Sequence, residues 1–185
     1  MNIVQTGIKD LYVLEPKVFG DHRGYFFESY NKKVFESLVG KNYDFIQDNE
    51  SKSSYGVLRG LHFQAPPFAQ TKLVRCILGS VLDVVVDLRN NSVTYGKYYS
   101  VLLTDENKKQ LVVPTGFAHG FVVLSETAIF SYKVDQVYMP SHEQGISWND
   151  NDLNIDWKIE SSAIKLSEKD KDLINFKDFN SPFNE

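Results

Sequence analysis

At 185 residues and 21.2 kDa the chain has the size of a single domain and is too short to build two independent cores of ordinary size. Hydrophobic residues at 42% and charged residues at 24% exclude a disordered or low-complexity chain. Lys plus Arg is 20 and Asp plus Glu is 24, so the net charge is −4, and no basic excess points to nucleic acid or to an anionic membrane surface. Any anionic ligand must then be caught by a few placed cations.

A single cysteine, Cys76, excludes an internal disulfide framework and a Cys-rich zinc site, and suits a reducing compartment. The first residues, Met1 to Gly7, lack the basic start and apolar run of a signal peptide, and no stretch approaches the roughly 20 apolar residues of a membrane helix. A cytoplasmic protein is expected.

In chain order, Val18 to Glu28 comes first, with Arg23 in a glycine-bracketed turn leading into an aromatic strand. The fixed fork of an arginine suits a phosphate, and it suits a surface turn equally well. Asn31 is placed to cap a short helix over Lys32 to Leu38, with Val34, Phe35 and Leu38 facing inward. From Phe45 to about Lys133 the chain runs in short stretches rich in Val, Leu, Phe and Tyr, broken by turn signals such as Asn90-Asn91-Ser92 and Pro114-Thr115-Gly116. Alternation is visible in Lys72 to Ile77 and again in Asp83 to Arg89, giving one apolar and one charged face. Many short strands without long helices between them predict an all-β antiparallel sandwich or jelly roll, not a βαβ fold. Ser167 is placed to cap a second helix over Glu168 to Ile174, with acidic residues in its first turn. Residues 175–185 are polar with interspersed Phe and read as a loosely packed tail on a single domain spanning 1–185.

The residues that could carry chemistry lie within these strands. The histidines are His22, His62, His119 and His142, and their spacing argues against a metal. A jelly-roll metal site commonly uses His-x-His on one strand, whereas here Gln64 follows His62, and an amide oxygen is a poor ligand where imidazole is preferred. His62, in the apolar run Val57 to Gln64, reads by itself as a hydrogen-bonded core histidine. His119 lies between Gly116 and Gly120, a setting that permits close backbone approach to a ligand. Lys72 shares a face with Val74 and Cys76, and a lysine on an apolar face needs an anion from the protein or from a substrate. Tyr132 shares a face with Phe130 and Val134, which alone suggests an amphipathic core tyrosine. Gln47 and Asn49 face one way on a strand and offer donors and acceptors to a nucleobase edge or to solvent alike.

Taken together, Pro16 to Glu28, Gln47-Asp48-Asn49, Val57 to Gln64, Lys72 to Arg75, Pro114 to Phe121, Trp148-Asn149-Asp150, Ile155-Asp156-Trp157 and Leu166 to Asp170 resemble the dTDP-4-dehydrorhamnose 3,5-epimerases, cupin-type jelly rolls of deoxysugar biosynthesis. The resemblance runs from about residue 3 to residue 172. It implies His62 as general base paired with Asp170, Tyr132 as general acid, and Lys72 near the sugar's keto oxygen. It implies substrate-binding roles for Arg23, Glu28, Gln47, Asn49, Arg59, His119, Glu143 and Lys169, and for Tyr138 as an aromatic that packs on the nucleobase. The implied substrate is a dTDP-linked 4-keto-6-deoxyhexose, used without metal or redox cofactor on the way to dTDP-L-rhamnose for lipopolysaccharide or other cell-surface polysaccharide. The implied assembly is a homodimer in which the Arg23 turn reaches the partner's site.

Strict alternation would set Arg59 and His62 on opposite faces, so a bulge or bend at Gly60 is needed unless Arg59 serves the diphosphate from the strand's end. Thr71, the apolar Ala65 to Ala69 segment and Lys158 depart from the family's habit, which touches substrate detail and the local C-terminal path. A single-position epimerase of the same family, a metal-dependent cupin and a nucleotide-sugar binding module are the competing readings.

Overall fold

The computed structural model describes residues 1–184. Strands β1 (Asn2–Gln5), β2 (Tyr12–Glu15), β5 (Gln47–Ser54), β7 (Lys72–Leu78), β10 (Gln110–Val113) and β12 (Thr127–Val134) form a six-stranded sheet in the order β1-β2-β10-β7-β12-β5. Strands β6 (Leu58–Gln64), β8 (Ser80–Asp87), β9 (Tyr98–Thr104), β11 (Phe117–Val123) and β13 (Glu143–Gly145) form a five-stranded sheet in the order β13-β6-β11-β8-β9. Neighbours within both sheets are antiparallel. The expected antiparallel jelly roll is the fold observed.

Each sheet is apolar on both faces, which divides the core into three. Between the sheets lie Leu11, Val13, Val74, Cys76, Val81, Val85, Leu103, Leu111, Phe121 and Phe130, all buried. On the outer face of the six-stranded sheet, Leu14, Leu73 and Val112 meet Phe35, Val39 and Tyr43. The outer face of the five-stranded sheet, carrying Leu61, Phe63, Leu82, Val84 and Val86, is covered by Leu153, Trp157, Phe179 and Phe183 from the C-terminal third. This double coverage corrects the expectation of a charged face on Asp83 to Arg89: β8 is a central strand, and Asp83 and Asp87 are buried within it. Asp87 is satisfied by Arg89, Ser92 and Thr94.

Helix α1 (Lys32–Val39) begins where expected, with the Asn31 side chain accepting from the Val34 N–H, and ends at Gly40 with φ of 69°. Its inward stripe is Phe35 and Val39, four apart; Val34 faces solvent, contrary to expectation, because Phe35 is the ring that packs with Tyr30, Tyr43 and Phe45. The second helix, α2 (Glu168–Lys171), is a single turn that ends short of the expected Ile174. The chain leaves it to run beside Ile146, where the Ser147 N–H donates to the Ile174 carbonyl.

The expected loose tail is instead docked. Phe179 and Phe183 are buried against Phe63, the Asn90 N–H donates to the Phe183 carbonyl, and the Ser181 hydroxyl donates to the Leu88 carbonyl. Each buried Phe contributes about 2 kcal/mol, enough to hold a polar segment that composition alone marks as loose. Glu185 of that segment lies outside the described residues.

The pairing of β6 with β11 decides where the functional side chains point. His62 stands opposite His119 and Arg59 opposite Phe121, so three steps along β6 match two along β11. The extra residue is absorbed at Gly60, with φ of 134°, where the backbone packs on Gly120. A Cβ on Gly60 would lie 2.5 Å from Gly120 Cα, and one on Gly120 would lie 2.6 Å from the Arg59 carbonyl oxygen. Gly60→Ala is expected to cost about 3 kcal/mol or more, because backbone blocks the new methyl and φ disfavours it. Gly40→Ala, at a positive φ with open space around it, is expected to cost about 1 kcal/mol. Chemical denaturation of the two variants measures the difference.

Candidate active site

Between the sheets, at the end where β7 and β12 face β6 and β11, opens a cavity of about 410 Å³. Its wall from the five-stranded sheet carries Arg59, His62, His119, Phe121 and Glu143; the six-stranded sheet supplies Gln47, Asn49, Lys72, Phe130 and Tyr132. Lys169 and Asp170 enter from α2, and Tyr138 from the loop after β12. The bulge at Gly60 brings Arg59 and His62 to one cavity, resolving the conflict that strict alternation posed.

His62 meets a carboxylate on each side of its ring. Nε2 lies 2.6 Å from Asp170 Oδ1, approached obliquely, while Nδ1 is 3.9 Å from Glu143 Oε1. Asp170 is buried, and burial acts to raise its carboxyl; the bonds from His62 and Ser167 together hold it below its ordinary value. The Ser167 hydroxyl donates to Asp170 Oδ2 at 2.7 Å, so this serine orients the carboxylate and does not cap the helix backbone as expected. Glu143 is likewise pushed up by burial and held low by bonds from Lys169 Nζ and the Tyr138 hydroxyl, each at 2.7 Å.

A second histidine–carboxylate pair underlies the cavity. His119 Nε2 lies 3.0 and 2.9 Å from the two oxygens of Asp83, whose carboxyl is raised by burial and lowered by His119 and Lys72. Asp83 escaped the sequence reading. An acid inside an apolar strand was its signal, but strand alternation allowed a solvent-facing charge. Burial pushes the Lys72 ammonium down to about 8, with Glu143 and Asp83 favouring its charge and Lys169 opposing it. The Tyr132 hydroxyl is raised by burial, with Arg59 opposing and Glu143 adding to the rise. Gln47 and Asn49 bond each other, Nε2 to Oδ1 at 2.8 Å, and Arg59 donates to the Ser53 hydroxyl.

Arg23 and Glu28 are not brought to this cavity. Arg23 lies in the turn between β3 (Phe19–Asp21) and β4 (Gly24–Phe26), its side chain 78% exposed and forked onto Asp21, and Glu28 accepts from Asn31. Phe19, Tyr25 and Phe26 on the same hairpin are more than half exposed. Among the described residues no group of three or more His, Cys, Asp or Glu side chains is arranged to hold a metal ion, and no helix is long and apolar enough to cross a membrane.

A jelly roll whose two sheets enclose one polar cavity lined by His62, Lys72 and Tyr132, with Asp170 of α2 against His62, defines an enzyme of the cupin type. The dTDP-4-dehydrorhamnose 3,5-epimerase family model matches residues 5–178, and the chain belongs to that family of isomerases. It is 54% identical over 170 residues to the dTDP-4-dehydrorhamnose 3,5-epimerase of Shigella flexneri, covering 92% of this chain and 93% of that one. The crystal structure of the enzyme of that name from Elizabethkingia anophelis superposes with a TM-score of 0.93 at 59% identity, over 97% of this chain and 98% of that one. The Legionella pneumophila dTDP-6-deoxy-D-glucose-3,5-epimerase, solved in complex with dTDP-4-keto-L-rhamnose, superposes with a TM-score of 0.93 at 45% identity, over 97% and 94% of the two chains.

The half-buried lysine leaves a signature in stability. Its folded value of about 8 lies below the ordinary lysine range, so between these values the unfolded chain binds the proton that the folded chain has released. The cost of the buried ammonium is therefore full below pH 8 and fades as pH rises above it. Lys72→Met is expected to raise stability at pH 7 by roughly 2 kcal/mol and to lose that advantage by pH 10. Denaturant unfolding of both proteins across this window checks the sign.

Proposed function

We propose that the chain inverts C3 and C5 of dTDP-4-dehydro-6-deoxy-glucose by proton transfer through an enolate, with His62 as base and Tyr132 as acid. The supporting observation is that these two side chains belong to different sheets and line one cavity. Inversion requires a proton to leave one face of a carbon and return to the other. The 4-keto group acidifies both neighbouring C–H bonds, because the electron pair released on deprotonation moves onto the carbonyl oxygen.

Asp170 at Nε2 leaves the Nδ1 lone pair as the base. As His62 takes the proton, the new imidazolium faces a carboxylate already in place, so little rearrangement is needed. The Lys72 ammonium, charged at neutral pH, stabilises the enolate oxygen. Tyr132 then delivers its hydroxyl proton to the opposite face, and burial keeps that hydroxyl protonated at neutral pH. Solvent afterwards reprotonates Tyr132 and takes the proton from His62. Arg59, Lys169, Gln47, Asn49 and Tyr138 at the cavity mouth would receive the diphosphate and nucleobase.

In solvent D2O, the EDTA-treated protein is expected to incorporate deuterium at both C3 and C5 with inversion, read by NMR of the sugar. His62→Ala should abolish exchange at both carbons. Tyr132→Phe should still bind dTDP while turnover falls by about 10²-fold or more. Exchange confined to one carbon would reduce the reading to a single-position epimerase, and normal turnover in Tyr132→Phe would remove that residue from its role.

The exposed aromatic hairpin and the absence of Arg23 and Glu28 from their own chain's cavity support a homodimer in which each Arg23 completes the partner's site. The buried free thiol of Cys76 fits a cytoplasmic enzyme. Arg23→Ala and His62→Ala chains, each impaired alone, are expected to recover part of the activity when co-expressed, because a mixed dimer contains one site with both residues intact. No recovery, with mixed dimers verified by differential tags, would count against the shared site.

A further inference from the structure

Gln64 occupies the position two residues after His62, is 5% exposed, and lies outside the cavity wall. Its carboxamide is committed to backbone. Nε2 donates to the Phe68 carbonyl at 2.6 Å and to the Val137 carbonyl at 3.1 Å, and Oε1 accepts from the Met139 N–H at 2.6 Å. Two of these three groups flank Tyr138, so one side chain grips the peptide on each side of it.

Tyr138 has few other constraints. It is 51% exposed, and its hydroxyl bonds Glu143 Oε2 at 2.7 Å. Glu143 is the cross-strand partner of Gln64 in the β13–β6 ladder. A single rung therefore holds both ends of the tyrosine, backbone through Gln64 and hydroxyl through Glu143. The start of the same loop is held separately: Gln70 donates to the Gln136 carbonyl, and the Thr71 N–H donates to Asp135 Oδ1. The Val137 N–H is held by Gln136 Oε1 and the Met139 carbonyl by the His142 N–H, so loss of the Gln64 bonds would loosen the two peptides that flank Tyr138 and leave 135–136 in place.

We propose that Gln64 is the positioning residue for Tyr138 and thereby sets affinity for the nucleobase end of the substrate. The inference rests on the reading of Tyr138 as a base-stacking residue at the mouth of the epimerase cavity. A bulky ring held only at its tip would sample many poses, and the ordering cost would then fall on ligand binding. An amide suits the task because it supplies two donors and an acceptor without charge.

Gln64→Met, close in volume and unable to make these bonds, is to be compared with the unaltered protein by dTDP calorimetry, steady-state kinetics and thermal unfolding. Weakening of dTDP binding and a rise in KM of about tenfold, with kcat changed by less than about twofold, is the expected split. In a Tyr138→Ala background, the same substitution is expected to change dTDP affinity no further. An equal loss in both backgrounds, or a fall in kcat with affinity intact, would overturn the proposal. Should Gln64→Met fail to fold, Gln64→Asn, one methylene too short to reach both peptides, takes its place in the same cycle, where the same two results support or overturn the proposal. If Tyr138→Ala itself leaves dTDP affinity unchanged, it is the stacking reading of Tyr138 that fails.

Discussion

The contact on which the site depends is backbone against backbone, Gly60 on Gly120. It lets β6 carry one more residue than β11 over the same length, and that residue rotates Arg59 onto the wall already occupied by His62. A regular ladder would point the guanidinium away and separate Arg59 from His62. Only two facing glycines allow the strands to approach with the bulge in place, so the chemistry of the cavity rests on two positions that have no side chain.

The second constraint is electrostatic. Lys72, Asp83, His119, His62, Asp170 and Glu143 all line or underlie one space between two apolar sheets, where an unpaired charge is strongly unfavourable. The structure pairs them in sequence: Asp83 with His119, Asp170 with His62 and Ser167, and Glu143 with Tyr138 and Lys169. Among the described residues Lys72 has no such single partner, and burial draws it toward neutrality. A cation that the protein leaves undercompensated is one that gains most when negative charge develops on a bound carbonyl oxygen.

Much of this was legible in the chain. The alternation of Lys72, Val74 and Cys76, the two-residue spacing of Gln47 and Asn49, and the capping Asn31 are local patterns, and local patterns survive folding. The roles proposed for His62 and Tyr132 rest on motif resemblance, since neither differs by local sequence from a core residue. Two features depended on contacts distant in sequence, and a third on a local competition between residues three apart that a capping pattern does not reveal. Asp83 is buried because β8 is central and covered on both faces, and Ser167 turns from the helix backbone because Asp170 competes for its hydroxyl. Residues 176–183 are ordered because their phenylalanines find Phe63, more than a hundred positions earlier.

The docking of that last stretch ties the cavity to residues that follow both sheets in sequence. Asp170, which lies against His62, comes from the same segment that lays Phe179 and Phe183 over the five-stranded sheet, more than a hundred positions after His62. Both sheets and most of the cavity wall lie before residue 170, including Glu143 on the Nδ1 side of His62, whereas the carboxylate on the Nε2 side comes after them. The His62–Asp170 contact is therefore made by a stretch that follows both sheets in sequence, so the cavity is completed by residues outside the jelly roll itself.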